Sequence, residues 1–277
     1  MKKLFFVLFT LAFAAFAVHA QADIHRVDFK NFTYSASCVG EKPMKIAVKD
    51  GESTTTKKPD DEDYADFSIF AIEYGDLNGD GQDEAVILSN CNTGGTGQFT
   101  EGFVYIMKAG KPTLLLRIPG GDRGDGGLVS AKVVGGLLVV EQNAIDGAGG
   151  SCCPQFIDTY KYSVVNAKLV QSGKTARREA VPRQRIAFDK GTSSKTFKVT
   201  IDPYTEKRFT VGAAAGQTLS VSVDLDGVTM SIPGGDLETV DRTRGFTAKI
   251  PKKGDYTFEL ENGNDKAREI TVTVKIQ

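Results

Sequence analysis

Apolar residues recur at every second position through much of this chain, and that period admits strands and little else. In Leu219-Ser220-Val221-Ser222-Val223-Asp224-Leu225 the apolar side chains alternate strictly with polar ones. Successive side chains of a strand point to opposite faces, so such a run buries one face and wets the other. Ile270-Thr271-Val272-Thr273-Val274-Lys275-Ile276 repeats the pattern, and 201–211 and 218–232 carry it too. Phe103-Val104-Tyr105-Ile106-Met107 is apolar throughout and suits a strand covered on both faces. Asp226-Gly227, Gly135-Gly136 and Lys253-Gly254-Asp255 break these runs as turns. Beyond residue 20 no long segment shows the i, i+3, i+4, i+7 stripe of an amphipathic helix, and only 60–70 is read as a short helical turn. The expected class is all-β.

The first twenty residues read differently. Lys2 and Lys3 precede an apolar run from Leu4 to Val18, broken only by Thr10, and Val18-His19-Ala20 offers small residues at the two positions a signal peptidase reads. The run is shorter than the roughly twenty residues a bilayer span requires. Residues 1–20 are therefore expected to be a cleaved signal peptide. No Cys follows the cut and no later stretch is apolar enough to span a membrane, so the mature chain is expected in the periplasm or outside the cell. The net charge is −1 over 277 residues, and loss of Lys2 and Lys3 makes it more negative by two. That balance offers no electrostatic footprint for nucleic acid or an anionic membrane.

What remains is long enough for one large or two ordinary domains. The stretch 173–182 is polar and basic, almost without apolar anchors, and ends in a proline that discourages ladder pairing. Residues 175–182 are read as a linker. They divide a first β-domain, 23–174, from a second, 183–277. The second has no Cys, so its core alone must stabilise it, which is ordinary for a β-sandwich of this size.

Four cysteines, Cys38, Cys91, Cys152 and Cys153, are an even count in an exported chain and read as disulfides. Three pairings are open. A bond between the adjacent Cys152 and Cys153 would close a strained eight-membered ring, so Cys38 and Cys91 are each expected to pair with one member of that doublet. Redox and zinc chemistry are disfavoured, since there is no C-x-x-C and the one histidine after residue 20 is His25. His25 lies close to the expected new N-terminus, where chains fray, and is read as a surface residue. Ser-His-Asp and Cys-His catalysis both need a placed imidazole. No catalytic residue is assigned, and the chain is expected not to be an enzyme.

The sharpest local signal is Asp76-Leu77-Asn78-Gly79-Asp80-Gly81-Gln82-Asp83-Glu84, followed by the apolar run Ala85-Val86-Ile87-Leu88. Side-chain oxygens fall at relative positions 1, 3, 5 and 9, as Asp76, Asn78, Asp80 and Glu84. Gly81 at position 6 permits a sharp turn that aims the carbonyl of Gln82 inward. Calcium is a hard cation that takes six to eight oxygens, and this spacing delivers them from one loop. Position 12 is Ile87, so the loop is not an EF-hand, which needs a bidentate Glu there and a following helix. The loop resembles the strand-loop-strand calcium sites of FG-GAP and integrin-type propeller repeats. That resemblance implies a structural calcium held by Asp76, Asn78, Asp80, Gln82 and Glu84. The motif occurs once, which disfavours a full propeller.

Other motifs carry less. Asp60-Asp61-Glu62-Asp63 with Asp66 is read as a solvated acidic loop. The glycine-rich 91–98 lacks the Lys-Ser/Thr ending of a phosphate loop. The Arg123-Gly124-Asp125 tripeptide is read as a coincidence of common residues, with Arg123 expected to pair with an acid and pin its loop. Asp122 and Glu141 are the carboxylates a hydrolase would use, but no spacing places them as a pair.

Two wider resemblances follow. From Tyr74 to Leu169 the chain runs through the Asp/Asn loop, Thr93-Gly94-Gly95-Thr96-Gly97, Gly120-Gly121-Asp122-Arg123, Val139-Val140-Glu141, Cys152-Cys153-Pro154 and Tyr160-Lys161-Tyr162. This order resembles exported bacterial proteins related to the LppP/LprE lipoprotein-type family, which implies a secreted, disulfide-bearing β-domain and no activity. This chain lacks their lipidation Cys. The second domain resembles pre-peptidase C-terminal β-sandwiches and g-type lysozyme inhibitor proteins through Arg185-Ile186-Ala187-Phe188-Asp189-Lys190-Gly191, 214–221, 250–256 and 272–276. That resemblance implies a β-sandwich acting as an accessory module or inhibitor.

The combined expectation is an exported, calcium-stabilised binding module for a cell-wall component or envelope protein. Inhibition of g-type lysozyme through 183–277 is the first alternative, and a carboxylate-dependent hydrolase the second. The N-terminal reading is checked by sequencing the exported protein, which should begin at Gln21; a product starting at Met1 would remove it.

Overall fold

The computed structural model describes residues 23–38, 42–53, 64–146, 154–232, 237–242 and 244–277. Its regular structure is a short 3-10 turn at Ile24–Arg26 and twenty-one strands in four sheets. The first sheet is a seven-stranded meander of β1 (Thr33–Ala36), β2 (Met44–Lys49), β3 (Glu52–Ser53), β4 (Asp66–Gly75), β5 (Glu84–Asn92), β6 (Phe99–Lys108) and β7 (Lys111–Ile118), each hydrogen-bonded to the next. The second sheet has the order β11-β10-β9-β8, from β8 (Leu128–Val134), β9 (Leu137–Ala144), β10 (Phe156–Val165) and β11 (Lys168–Gln171). Short β12 (Ala176–Glu179) pairs with the first half of β10, while β11 pairs with its second half.

These two sheets enclose two cores. On one face of the first sheet, Tyr34, Phe67, Ile87, Phe103 and Tyr105 gather round Phe29. On its other face, Val86, Leu88, Val104 and Ile118 meet Leu128, Ala131, Leu138 and Val140 of the second sheet. β5 and β6 therefore feed both cores by alternation, as the uninterrupted apolar run at 103–107 predicts. Each such fully buried side chain stabilises the fold by about 1.5–3 kcal/mol relative to exposure.

Residues 183–277 form the remaining two sheets. β13 (Arg183–Ile186), β15 (Glu206–Ala213), β20 (Gly254–Glu261) and β17 (Thr229–Ser231) make one, with β13 and β15 parallel. β14 (Ser194–Ile201), β21 (Arg268–Ile276), β16 (Thr218–Val223), β19 (Gly245–Lys249) and β18 (Thr239–Arg242) make the other. The alternation read at 219–223 and 270–276 buries Leu219, Val221, Ile270, Val272 and Val274 in a core shared with Phe209, Phe258 and Leu260 of the facing sheet. Two sheets closed over one core are a β-sandwich. The molecule is all-β, with its second half a sandwich.

Three expectations change. Residues 66–70, read as part of a helical turn, lie in β4. Residues 176–179, read within a linker, form β12. That strand has no apolar anchors, and ion pairs hold it instead. Arg177 donates from Nε and Nη2 to the two Asp158 oxygens at 2.6 and 2.8 Å, and from Nη1 to Asp146 at 2.8 Å. Its guanidinium also lies 4.9 Å from the centre of the Phe156 ring. Arg178 reaches Glu141. Finally, Cys38 and Cys91 bond to each other, with Cα atoms 5.5 Å apart, so neither pairs with the doublet. The inward packing of Tyr34 against Phe67 and Phe103 brings the end of β1 over β5, a proximity no local spacing reports. Glu101 completes that junction by accepting the backbone N–H of Ser37 and pairing with Arg117, which also bonds the Ser35 carbonyl. Cys152 and Cys153 lie outside the described residues.

The Arg177 guanidinium beside Asp158 holds that carboxyl below the usual aspartate range. A depressed native pKa contributes stability that is present above the unfolded value and lost as pH falls through the native one. Arg177→Ala should therefore lower the melting temperature at pH 7. Its deficit should shrink progressively as pH falls below about 4. A deficit of equal size at pH 7 and pH 3 would show that the charge pair is not what holds β12.

Candidate calcium loop and its surroundings

The eight residues Asp76 to Asp83 connect β4 to β5, whose first residue is Glu84. Two glycines turn the chain: Gly79 and Gly81 have φ of 80° and 83°, a region that only glycine enters freely. One side chain anchors the loop from within. Leu77 is 4% exposed and packs into the core between the first and second sheets.

Around that anchor the oxygens fold inward. The Asp76 carboxylate accepts the N–H of Gly79 at 2.7 Å and of Gly81 at 2.9 Å. Asn78 Oδ1 accepts the N–H of Asp80, and Asp80 Oδ1 that of Gln82. Glu84 is 1% exposed, and its Oε2 accepts the N–H of Leu77 at 2.7 Å and of Asn78 at 3.2 Å. Burial pushes the Glu84 carboxyl above the usual glutamate range; the two backbone N–H groups pull it down, and the carboxylates of Asp80 and Asp76 push it up. No cationic side chain pairs with it among the described residues.

The loop carries the donor types that a hard cation takes. They comprise three carboxylates and an amide, one carboxylate being buried without a counter-charge. The side-chain amide of Asn78 stands between two of them, donating from Nδ2 to Glu84 Oε1 at 2.7 Å and to Asp80 Oδ2 at 3.3 Å. No three His, Cys, Asp or Glu side chains among the described residues converge on one point, the carboxylates of Asp76, Asp80 and Glu84 included. Calcium would require the Asn78 amide to turn its oxygen toward the centre, where Asp76, Asp80, Glu84 and the Gln82 carbonyl would complete the ligand set.

His25 lies against the outer side of this loop and is not frayed. Asp23 caps the 3-10 turn by accepting the His25 N–H, and Ile24 is 3% exposed. The imidazole stacks on Tyr74 at 4.2 Å, and its Nε2 lies 2.9 Å from Asp83 Oδ2. The terminal segment is thereby clasped to the loop. The sequence holds no periodic or motif signal for this contact, because the two halves are 58 residues apart.

The remaining candidates have structural partners. Asp122 accepts the N–H of Gln98 and of Gly124. Glu141 binds Ser130 and Arg178. Arg123 does not form the expected ion pair among the described residues. Its backbone pins the loop instead, donating to the Gln98 carbonyl and accepting from the Asn143 side chain. The glycines here answer to crowding, since a Cβ on Gly120 would overlap the Thr100 carbonyl. The acidic run 60–63 lies outside the described residues.

No family model and no curated protein matches the chain. Solved structures do. PliG of Aeromonas hydrophila, a periplasmic inhibitor of g-type lysozyme, is 22% identical over 35% of this chain and 97% of its own, with a TM-score of 0.31. A mutant of the Escherichia coli inhibitor is 20% identical over 35% of this chain and 100% of its own, at 0.29. The pre-peptidase C-terminal domain of Bacillus anthracis collagenase is 13% identical over 36% and 99%, at 0.27.

If the loop holds calcium, millimolar calcium should raise the melting temperature several degrees above that in EDTA, since ligand at about a hundred times Kd adds about 2.7 kcal/mol. Asp76→Ala and Asp80→Ala should each abolish that increment. Equal melting temperatures in calcium and EDTA for the unaltered protein would leave the loop a hydrogen-bonded turn.

Proposed function

We propose that this protein is a non-catalytic, exported binding module whose first domain is stiffened by one calcium ion and which engages a cell-wall component or envelope protein. Glu84 is the observation that carries the calcium half. A carboxylate 1% exposed, with no cationic partner among the described residues, raises the energy of the charged form. A hard divalent cation would reverse that cost. The ion's task would be to lock the β4–β5 connection, because the expected ligand set comes wholly from the protein.

Support for binding over catalysis comes from how the reactive groups are engaged. The imidazole of His25 is stacked on Tyr74 and held by Asp83. Asp122 and Glu141 are occupied by loop and strand contacts. A general base needs a proton within reach and a substrate beside it, and these side chains are spent on the scaffold.

Inhibition of g-type lysozyme is the second reading. It is supported by the resemblance of 183–277 in sequence and by the closed core those residues form among themselves. The chemistry of both readings is separable in one set of assays. Residues 21–277 should co-sediment with insoluble peptidoglycan in calcium and release no soluble fragments from it. Residues 183–277 alone should protect cells from g-type lysozyme only if the second reading holds. Fragment release abolished by Glu141→Gln would overturn the non-catalytic reading, and absence of both sedimentation and protection would overturn wall binding and inhibition together.

A further inference from the structure

The second sheet has an outer face that no other element covers among the described residues, and its register collects an unusual set of side chains there. Leu138, Val140, Tyr162, Val164 and Leu169 point inward to the core. Their chain neighbours must point out. Lys132 is opposite Val139, which is opposite Lys161; Val165 is opposite Lys168; Ser163 is opposite Val170. With Val134 two residues beyond Lys132, three lysines and four valines share the outer face, and three of those valines, Val134, Val165 and Val170, are exposed.

The same registers bring two turns together. Leu138 pairs with Tyr162, so the β8–β9 turn at Gly135-Gly136 and the β10–β11 turn at Asn166-Ala167 project from one end of the sheet. Val134 and Val165 flank those turns at 58% and 48% exposure, and Val170 is 48% exposed on the neighbouring strand. Lys168 stands beside Val165, while Lys132 and Lys161 lie one row behind the tips. None of the three lysines forms an ion pair among the described residues. The only carboxylate in the adjoining row, Glu141, is taken by Arg178. The face is thus locally cationic on a chain whose net charge is negative.

We infer that this face docks on an anionic phospholipid surface, with the two hairpin tips entering the interface and the lysines meeting lipid phosphates behind them. Charge complementarity requires an anionic partner. The valines choose between anionic partners. A polyanionic glycan or acidic protein segment would use the cations and gain nothing from apolar tips, whereas a bilayer interface rewards protruding apolar side chains with cations set just above them. Each lysine near such a surface strengthens attachment by about fivefold. The proposal is independent of the calcium reading, although Gly136 at one tip lies against the Asp76 carbonyl.

Every described element lies at residue 23 or beyond, so residues 21–277 retain the face without the apolar leader. That chain should sediment with vesicles containing one-third phosphatidylglycerol in phosphatidylcholine, and not with phosphatidylcholine alone. Binding should weaken at least about a hundredfold in the Lys132→Glu/Lys161→Glu/Lys168→Glu triple variant. It should weaken about tenfold in Val134→Ser/Val165→Ser/Val170→Ser. All six positions are exposed, so both variants should melt within a few degrees of the parent, and a folded control is available from circular dichroism. Attachment should persist in EDTA. Failure of the parent chain to bind anionic vesicles overturns the proposal. So does binding unchanged in both triple variants, or binding seen only in calcium, which would transfer it to the Asp76–Glu84 loop. Dependence on the lysines alone, with equal retention on dextran sulfate, would assign the face to an acidic polymer and overturn the lipid assignment.

Discussion

Six successive residues of β5, Glu84 to Ser89, are buried, and the first two sheets are arranged around that fact. A strand buried on both faces needs a layer on each side. Ala85 and Ile87 supply the core beneath β1 and β2, while Val86 and Leu88 supply the core shared with the second sheet. The two ends of the same strand hold the domain's constraints. Glu84 closes the Asp/Asn loop at one end, and Cys91 bonds Cys38 near the other. The loop is therefore not an appendage. Its last carboxylate, Glu84, is the first residue of β5, and its Leu77 is part of the core below.

Charge does, at the edges, what apolar burial does in the centre. β12 buries no apolar side chain, Ala176 being exposed, yet it completes an edge because Arg177 and Arg178 find carboxylates on β9, β10 and Asp146. Arg117 and Glu101 play a comparable part where β1 comes over β6 and β7. Burial pushes the Glu101 carboxyl above its ordinary range despite that arginine, so this pair holds position more than it adds stability. Among the described residues the outer face of the second sheet keeps Lys132, Lys161, Lys168, Val134, Val165 and Val170 exposed.

The C-terminal sandwich is simpler. Its strands alternate cleanly, its phenylalanines Phe209, Phe246 and Phe258 meet at the centre, and its Arg185–Asp255 and Lys198–Glu269 pairs lie on the surface, while Arg208 meets Glu206 and Glu259 in a mostly buried position. Such surface pairs contribute little, so the domain depends on its apolar core. This is why the half of the chain without cysteines could be read more fully than the half with them.

Alternation at 219–223 and 270–276, the doubly apolar run at 103–107 and the oxygen spacing of Asp76, Asn78, Asp80 and Glu84 were all legible without coordinates, because each is a local rule acting over fewer than ten residues. Strand period fixes which face a side chain takes, and loop spacing fixes which donors one ion could share. The Cys38–Cys91 bond, the clasp of His25 on Tyr74 and Asp83, the strand at 176–179 and the gathering of Lys132, Lys161 and Lys168 were not legible. Each joins residues whose proximity depends on register between strands or on how one sheet folds over another, and register is a property of the assembled ladder, with no trace in any single segment.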